Sequence, residues 1–431
     1  MKFENSESFA AELDSKDELS SYRSKFFIPK KPDGEDVIYF AGNSLGLQPK
    51  SVKEYIEQEL KDWAELGVDG HFKAKHPWLP YHEFLTEQTA RLVGAKPIEV
   101  VNMNSLTVNL HLMLVSFYNP TKERNKILIE FPAFPSDHYA VQSHIRYHGF
   151  DVSKSLIEIS PKPGEAYIRT EDLIELIEKE GDSIALILLP GVNYYSGQVF
   201  EFEKITKAGH AKGCKVGFDL AHGAGNLVLN LHEWDVDFAV WCSYKYLNAG
   251  PGATAGCFVN ERYANDNSIP KFLGWWGNDK GTRFIMDKKF IPIAGTESWQ
   301  LSNPSILQLA SLRASLDIFD EVGMGKLREK SELLTCYAEF LINNINESSG
   351  ERSRSGERSR TIEIITPKDV TQRGCQLSLR IKDNGKEIHQ KLLDGGVICD
   401  WREPDVIRIA PVPLYNTFTD VWNFVKILRE T

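Results

Sequence analysis

The chain is poor in cysteine: six in 431 residues, with no C-x-x-C pair. Cys214, Cys242, Cys257, Cys336, Cys375 and Cys399 sit mostly in apolar strand-like or helical runs. That argues against a zinc cluster or a disulfide framework and for reduced, buried thiols. Basic residues are not in excess: 50 Lys and Arg against 60 Asp and Glu leave a net charge of −10. An acidic balance argues against a general nucleic-acid surface. No run approaches the roughly 18 uncharged apolar residues that a membrane span needs. The opening stretch MKFENSESFAAELDSKDELSSYRSKF lacks the apolar core of a signal peptide and the Arg-rich bias of a transit peptide. The expected compartment is the cytoplasm. Internal repeats are missing too. What is left is ordinary globular composition, 42% apolar and 26% charged, in a chain long enough for one large domain and a smaller one.

The middle of the chain alternates strand and helix. KILIE (126–130), SIALILLP (183–190), KVGFDLAH (215–222), FAVWCS (238–243) and GCFVN (256–260) read as strands, most of them unbroken apolar runs. DLIELIEKE (172–180) and EKITKAGHAKG (203–213) between them read as helices, the second stopping at Gly213. Such alternation implies an α/β fold with a mainly parallel sheet covered on both faces. Ligands in these sheets bind beyond the carboxyl ends of the strands.

The last hundred residues change rhythm. A long helix carries Leu327, Leu334, Tyr337, Leu341 and Ile345 at helical spacing. ESSGERSRSGERSR (347–360) has no apolar residue and is expected to be a mobile surface loop. TIEIIT, CQLSLRI, GGVICDWR and VIRIAP then read as strands around the helix GKEIHQKLLDGG, an α+β module. The expected division is an N-terminal segment (1–65) packing with the small domain, a large domain (66–318) and the small C-terminal α+β domain (319–431).

One stretch, WCSYKYLNAGPGATAGCFV (241–259), sets a lone lysine, Lys245, between two apolar strands. Lysine is rarely buried unless it is paired or chemically engaged. Lys245 is either a surface lysine with an apolar stem or an amine that forms a Schiff base with a carbonyl compound. Asp219 ends an apolar strand 26 residues earlier. Alone it reads equally as a helix cap. Ser105, Leu106 and Thr107 open an apolar helix and could cradle an anion or simply cap it. Phe134 and Asp137 are expected on a loop after a strand. A lysine, a carboxylate for a ring nitrogen, an aromatic face and a phosphate cradle are together what pyridoxal 5'-phosphate requires.

At this point the motifs FDLAHGAGN, CSYKYLNAGPG, AFPSDHYA, NSLTVNLHL, GNSLGLQP and APVPLYN carry a resemblance. The chain resembles the kynureninases, pyridoxal-phosphate hydrolases of the aspartate aminotransferase fold type (fold type I), from about residue 37 to the end. The resemblance implies that Lys245 is the Schiff-base lysine and Asp219 the partner of the pyridine nitrogen. It implies Phe134 stacked on the ring, with Asp137 and His222 in the polar shell. Leu106, Thr107 and Tyr244 would hold the phosphate. Trp275 and Asn303 would reach the cofactor from the neighbouring subunit of a homodimer. His71, Ser302 and Asn303 would line the substrate pocket, and Arg408 would take the substrate carboxylate. Pro190 stands where some members carry a serine, so no cofactor contact is carried onto it.

The implied reaction is hydrolysis of kynurenine or 3-hydroxykynurenine to anthranilate or 3-hydroxyanthranilate plus alanine, in tryptophan catabolism and the route to NAD. Lys245 would be the base, Asp219 would support the electron sink, and Tyr244 would relay a proton, with no metal needed. The nearest rival is another enzyme of the same fold, such as a cysteine desulfurase or an aminotransferase. A desulfurase needs an exposed reactive cysteine, and the nearest candidate, Cys375, opens a strand.

Overall fold

The computed structural model describes residues 2–354 and 362–431. Its centre is a seven-stranded sheet. The strands are β2 (Val100–Asn102), β3 (Lys126–Glu130), β4 (Leu156–Ile159), β5 (Ile184–Pro190), β6 (Lys215–Asp219), β7 (Phe238–Trp241) and β8 (Gly256–Val259), in the order β2-β8-β7-β6-β5-β3-β4. β4, β3, β5, β6 and β7 are mutually parallel, and β8 runs against both of its neighbours. Side chains alternate across the sheet. On β5, Leu186 and Leu188 enter one apolar cluster while Ile187 and Leu189 enter the cluster on the opposite face. That double burial is why these strands read as continuous apolar runs.

A second sheet has the order β12-β13-β10-β9, from Asp400–Arg402 (β12), Val406–Ile409 (β13), Leu377–Arg380 (β10) and Glu363–Ile364 (β9). All its pairings are antiparallel. Its own core includes Leu334, Tyr337, Leu341 and Ile345 from the long helix Met324–Arg354. The N-terminal region divides between the two sheets' surroundings. Ile38–Tyr39 (β1) pairs in parallel with Val397–Ile398 (β11), and the helix Glu7–Ser15 packs on the last helix, Phe418–Glu430. The helix Val52–Leu66 instead packs on Ile306–Val322, where the Tyr55 hydroxyl donates to Asp317.

Two local expectations are corrected. The run 347–354, expected in a loop, continues the helix that ends at Arg354; the remainder, 355–360, lies outside the described residues. Glu347, Glu351 and the arginines after them are adequate helix formers, and a helix already nucleated extends at little cost. Asp137, expected in a loop, sits in the first turn of the helix Pro135–Tyr147, with Phe134 just before it. Pro135 at the first helical position and an acid in the first turn are helix-start chemistry.

Candidate active site

β3, β5 and β6 end together at one edge of the sheet. Their last residues, Glu130, Pro190 and Asp219, line one cavity. Leu106 and Thr107 enter it from the start of the helix Leu106–Phe117, and Phe134, Ser136 and Asp137 from the start of Pro135–Tyr147. Ala221 and His222 come from the turn after β6, and Tyr244 and Lys245 from the segment after β7. Lys245 Nζ donates to His222 Nε2 at 3.1 Å and stands 5.8 Å from the centre of the Phe134 ring. Asp219 is buried, and its Oδ1 accepts from the Ala221 N–H at 2.7 Å.

The electrostatics follow from burial. Loss of water raises Asp219, while the Ala221 N–H and the Lys245 ammonium pull it back. Asp137 lies well above the ordinary carboxyl range, first through burial and then through the charges of Asp219 and Glu130. Glu130 is pushed up to about 8 by burial, with Asp219 adding to the shift. His222 is driven well below its usual value by burial, then by the charges of Lys245, Arg408 and Arg402. It is therefore neutral, which lets Nε2 accept from the lysine. Burial raises the Tyr244 phenol, so it keeps its proton.

Eight residues expected from sequence thus line one cavity: Leu106, Thr107, Phe134, Asp137, Asp219, His222, Tyr244 and Lys245. Arg408 is not part of the lining but is tied to it, because its Nη1 donates to the carbonyl of Tyr194 at 2.7 Å. His71, Trp275, Ser302 and Asn303 lie outside the lining of this chain's cavity. Trp275, Ser302 and Asn303 are exposed, and the His71 ring meets the Val68 carbonyl at 3.0 Å and the edge of Trp78. Sequence reasoning passed over Glu130 and Tyr194. The signal for Glu130 was an acid closing an apolar strand, the same signal that flagged Asp219. Tyr194 packs edge-on against Phe134, with ring centres 5.5 Å apart. Among the described residues, His82, Glu83 and Glu297 could together approach a cation, but the Lys280 ammonium lies 2.9 Å from Glu83 and 2.8 Å from Glu297 and meets their charge.

Known proteins resemble the chain along nearly its whole length. The kynureninase of Koribacter versatilis (strain Ellin345) is 59% identical over 424 residues, 98% of this chain and 97% of that one. The kynureninase of Mus musculus is 49% identical over 435 residues, 98% of this chain and 93% of that one. The chain belongs to the kynureninase family. A family profile for the kynureninase C-terminal domain matches residues 327–428. Solved structures with the same fold are more distant. The apo cysteine desulfurase of Thermococcus onnurineus NA1 superposes with a TM-score of 0.73 at 16% identity, covering 91% of this chain and 94% of that one. A lysine mutant of C-DES with glycine covalently linked to its PLP cofactor gives 0.75 at 17% identity, covering 94% and 98%. These likenesses establish the fold type. They do not favour desulfurase chemistry over that of the kynureninase family, because Cys375 is 1% exposed and burial pushes its thiol up to about 12.

Proposed function

We propose that this chain hydrolyses kynurenine or 3-hydroxykynurenine to the corresponding anthranilate and alanine, with pyridoxal phosphate bound in the Lys245 cavity. The carrying observation is the near full-length identity to kynureninases in a chain whose lone strand-end lysine, buried acid and helix start meet in one cavity. The residues present fit the cofactor. Ser105 makes no side-chain cap bond, so the first turn of Leu106–Phe117 keeps N–H groups for an anion, and the Thr107 and Ser136 hydroxyls lie 2.9 Å apart beside it. Buried Asp137 Oδ1 and His222 Nδ1 lack partners, as groups awaiting a polar ligand would.

When bound, pyridoxal phosphate supplies an aldehyde for the substrate amine and a ring that takes up electrons from the substrate's α-carbon. Lys245 Nζ is the base that takes and returns the α-proton, held in direction by neutral His222. Asp219, a buried carboxylate, holds a proton on the ring nitrogen. Phe134 covers one ring face. Leu106, Thr107 and Tyr244 hold the phosphate, and the protonated Tyr244 phenol can relay a proton as water adds to the ketone. Arg408 takes the substrate carboxylate.

The working unit in this reading is a homodimer in which Trp275 and Asn303 of one subunit complete the other's cofactor site. His71, Ser302 and Asn303 surround the substrate's ring. In support, Phe272, Leu273, Trp275, Phe284, Ile285 and Met286 leave apolar side chains in solvent along one segment. A cytoplasmic location accords with six free thiols. Among the described residues no helix is long and apolar enough to cross a membrane. Borohydride reduction and peptide mapping test the cofactor site: a pyridoxyl group on Lys245 is expected, and one on another lysine overturns the assignment.

A further inference from the structure

Arg408 does not stand alone. β12 and β13 are antiparallel, with Asp400 directly opposite Arg408. Side chains alternate along a strand, so Arg402, two residues on, shares the face of Asp400. The Asp400 carboxylate accepts from Arg408 Nη2 at 2.5 Å and from the Ser44 hydroxyl. The Arg402 guanidinium stands 3.7 Å from the same carboxylate.

The charges decide what this group can recognise. Asp400 already neutralises Arg408, which is only 1% exposed. A carboxylate arriving at that pair alone would meet no net charge, and its desolvation would go uncompensated. Two guanidiniums around one carboxylate leave a single positive charge, and Arg402 supplies it. Arg402 Nε is buried without a partner, although 38% of the side chain reaches solvent. Its charge acts on both His222 and Tyr194, which line the Lys245 cavity.

We infer that Arg402 is the second cation of the substrate-carboxylate site. Arg402, Asp400 and Arg408 form a triad of net charge +1 that reads one carboxylate and selects α-amino acids over neutral amines. The inference rests on the assignment of Arg408 to the substrate carboxylate.

L-alanine and L-alaninamide differ only in the carboxylate. Titrating the holoenzyme with each, followed by the cofactor's absorbance, isolates that group. Arg402→Gln should weaken alanine roughly tenfold, the scale of a lost charge-assisted hydrogen bond, and leave alaninamide within about twofold. Arg402→Lys, which keeps the charge, should recover most of the loss. Arg402→Met, which keeps the apolar stem, gives the same reading if the glutamine variant does not fold. Unchanged alanine affinity, or equal weakening of both ligands, overturns the triad. Arg408→Gln serves as the parallel arm. If it weakens both ligands equally, the assignment of Arg408 falls; if it separates them while Arg402→Gln does not, only the triad falls.

Discussion

At the scale of the residue, the site is three buried carboxyls against one lysine, and two of them, Asp219 and Glu130, each make a separate prediction. Asp219→Asn cannot hold a proton on a ring nitrogen. It should retain cofactor but lose about 100-fold or more in kcat, read by absorbance and turnover together. Glu130 tests the electrostatics. Its folded value of about 8 lies above its ordinary 4.5, so between those pH values the folded chain keeps a proton that the unfolded chain releases. Stability therefore falls as pH rises through that window. Cofactor-free Glu130→Gln should melt above the wild type at pH 8 and close to it near pH 4.5; an equal difference at both would contradict the shift. Substrate choice is a third test. If Asn303 and His71 read a ring hydroxyl, 3-hydroxykynurenine should have the higher kcat/KM, and Asn303→Ala should lose about tenfold of that preference. Lys245 and Asp219 were legible in the sequence because each is a charged residue against an apolar strand. Glu130 carried the same mark, but no motif drew attention to it. Tyr194 was not legible, because its place depends on contact with Phe134, 60 positions away.

At the scale of the element, the site is assembled by strand ends and helix starts, and one glycine sets a tolerance. The Gly46 N–H donates to the Tyr244 carbonyl at 2.9 Å. A Cβ at Gly46 would come within 2.3 Å of the Lys245 carbonyl oxygen and of Asn248 Oδ1. Gly46→Ala must therefore shift either its own loop or the lysine segment, and displacements near 1 Å cost about 100-fold in rate. Kinetics alongside a melting curve check this: a folded variant with more than half of wild-type kcat/KM would show that the loop gives way freely. Apolar runs and their Gly and Pro stops made β3, β5, β6, β7 and β8 of the large sheet legible, whereas the short edge strands β2 and β4 were passed over. The continuation of Met324–Arg354 through polar ERSR was not, because composition alone does not register a helix propagated from a packed segment. Pairing of β1 with β11 joins residues more than 350 positions apart, which no local pattern encodes.

At the scale of the whole molecule, the residues expected to reach a neighbour, Trp275 and Asn303, stay in solvent in the single chain. If sites are shared, mixing Lys245→Ala with Asn303→Ala subunits should create hybrids with one intact site, and activity above the sum of the parents. A mixture no better than its parents, or an active monomer in sedimentation, would contradict sharing. The central claim is narrower: hydrolysis of the substrate's side chain at Lys245. Its most direct test measures alanine and aryl acid released from 3-hydroxykynurenine by wild type and Lys245→Ala, both loaded with pyridoxal phosphate. The account predicts alanine and 3-hydroxyanthranilate in equal amounts from the wild type and neither from the variant. A keto acid with aminated cofactor from the wild type, or equal turnover by the variant, would contradict it.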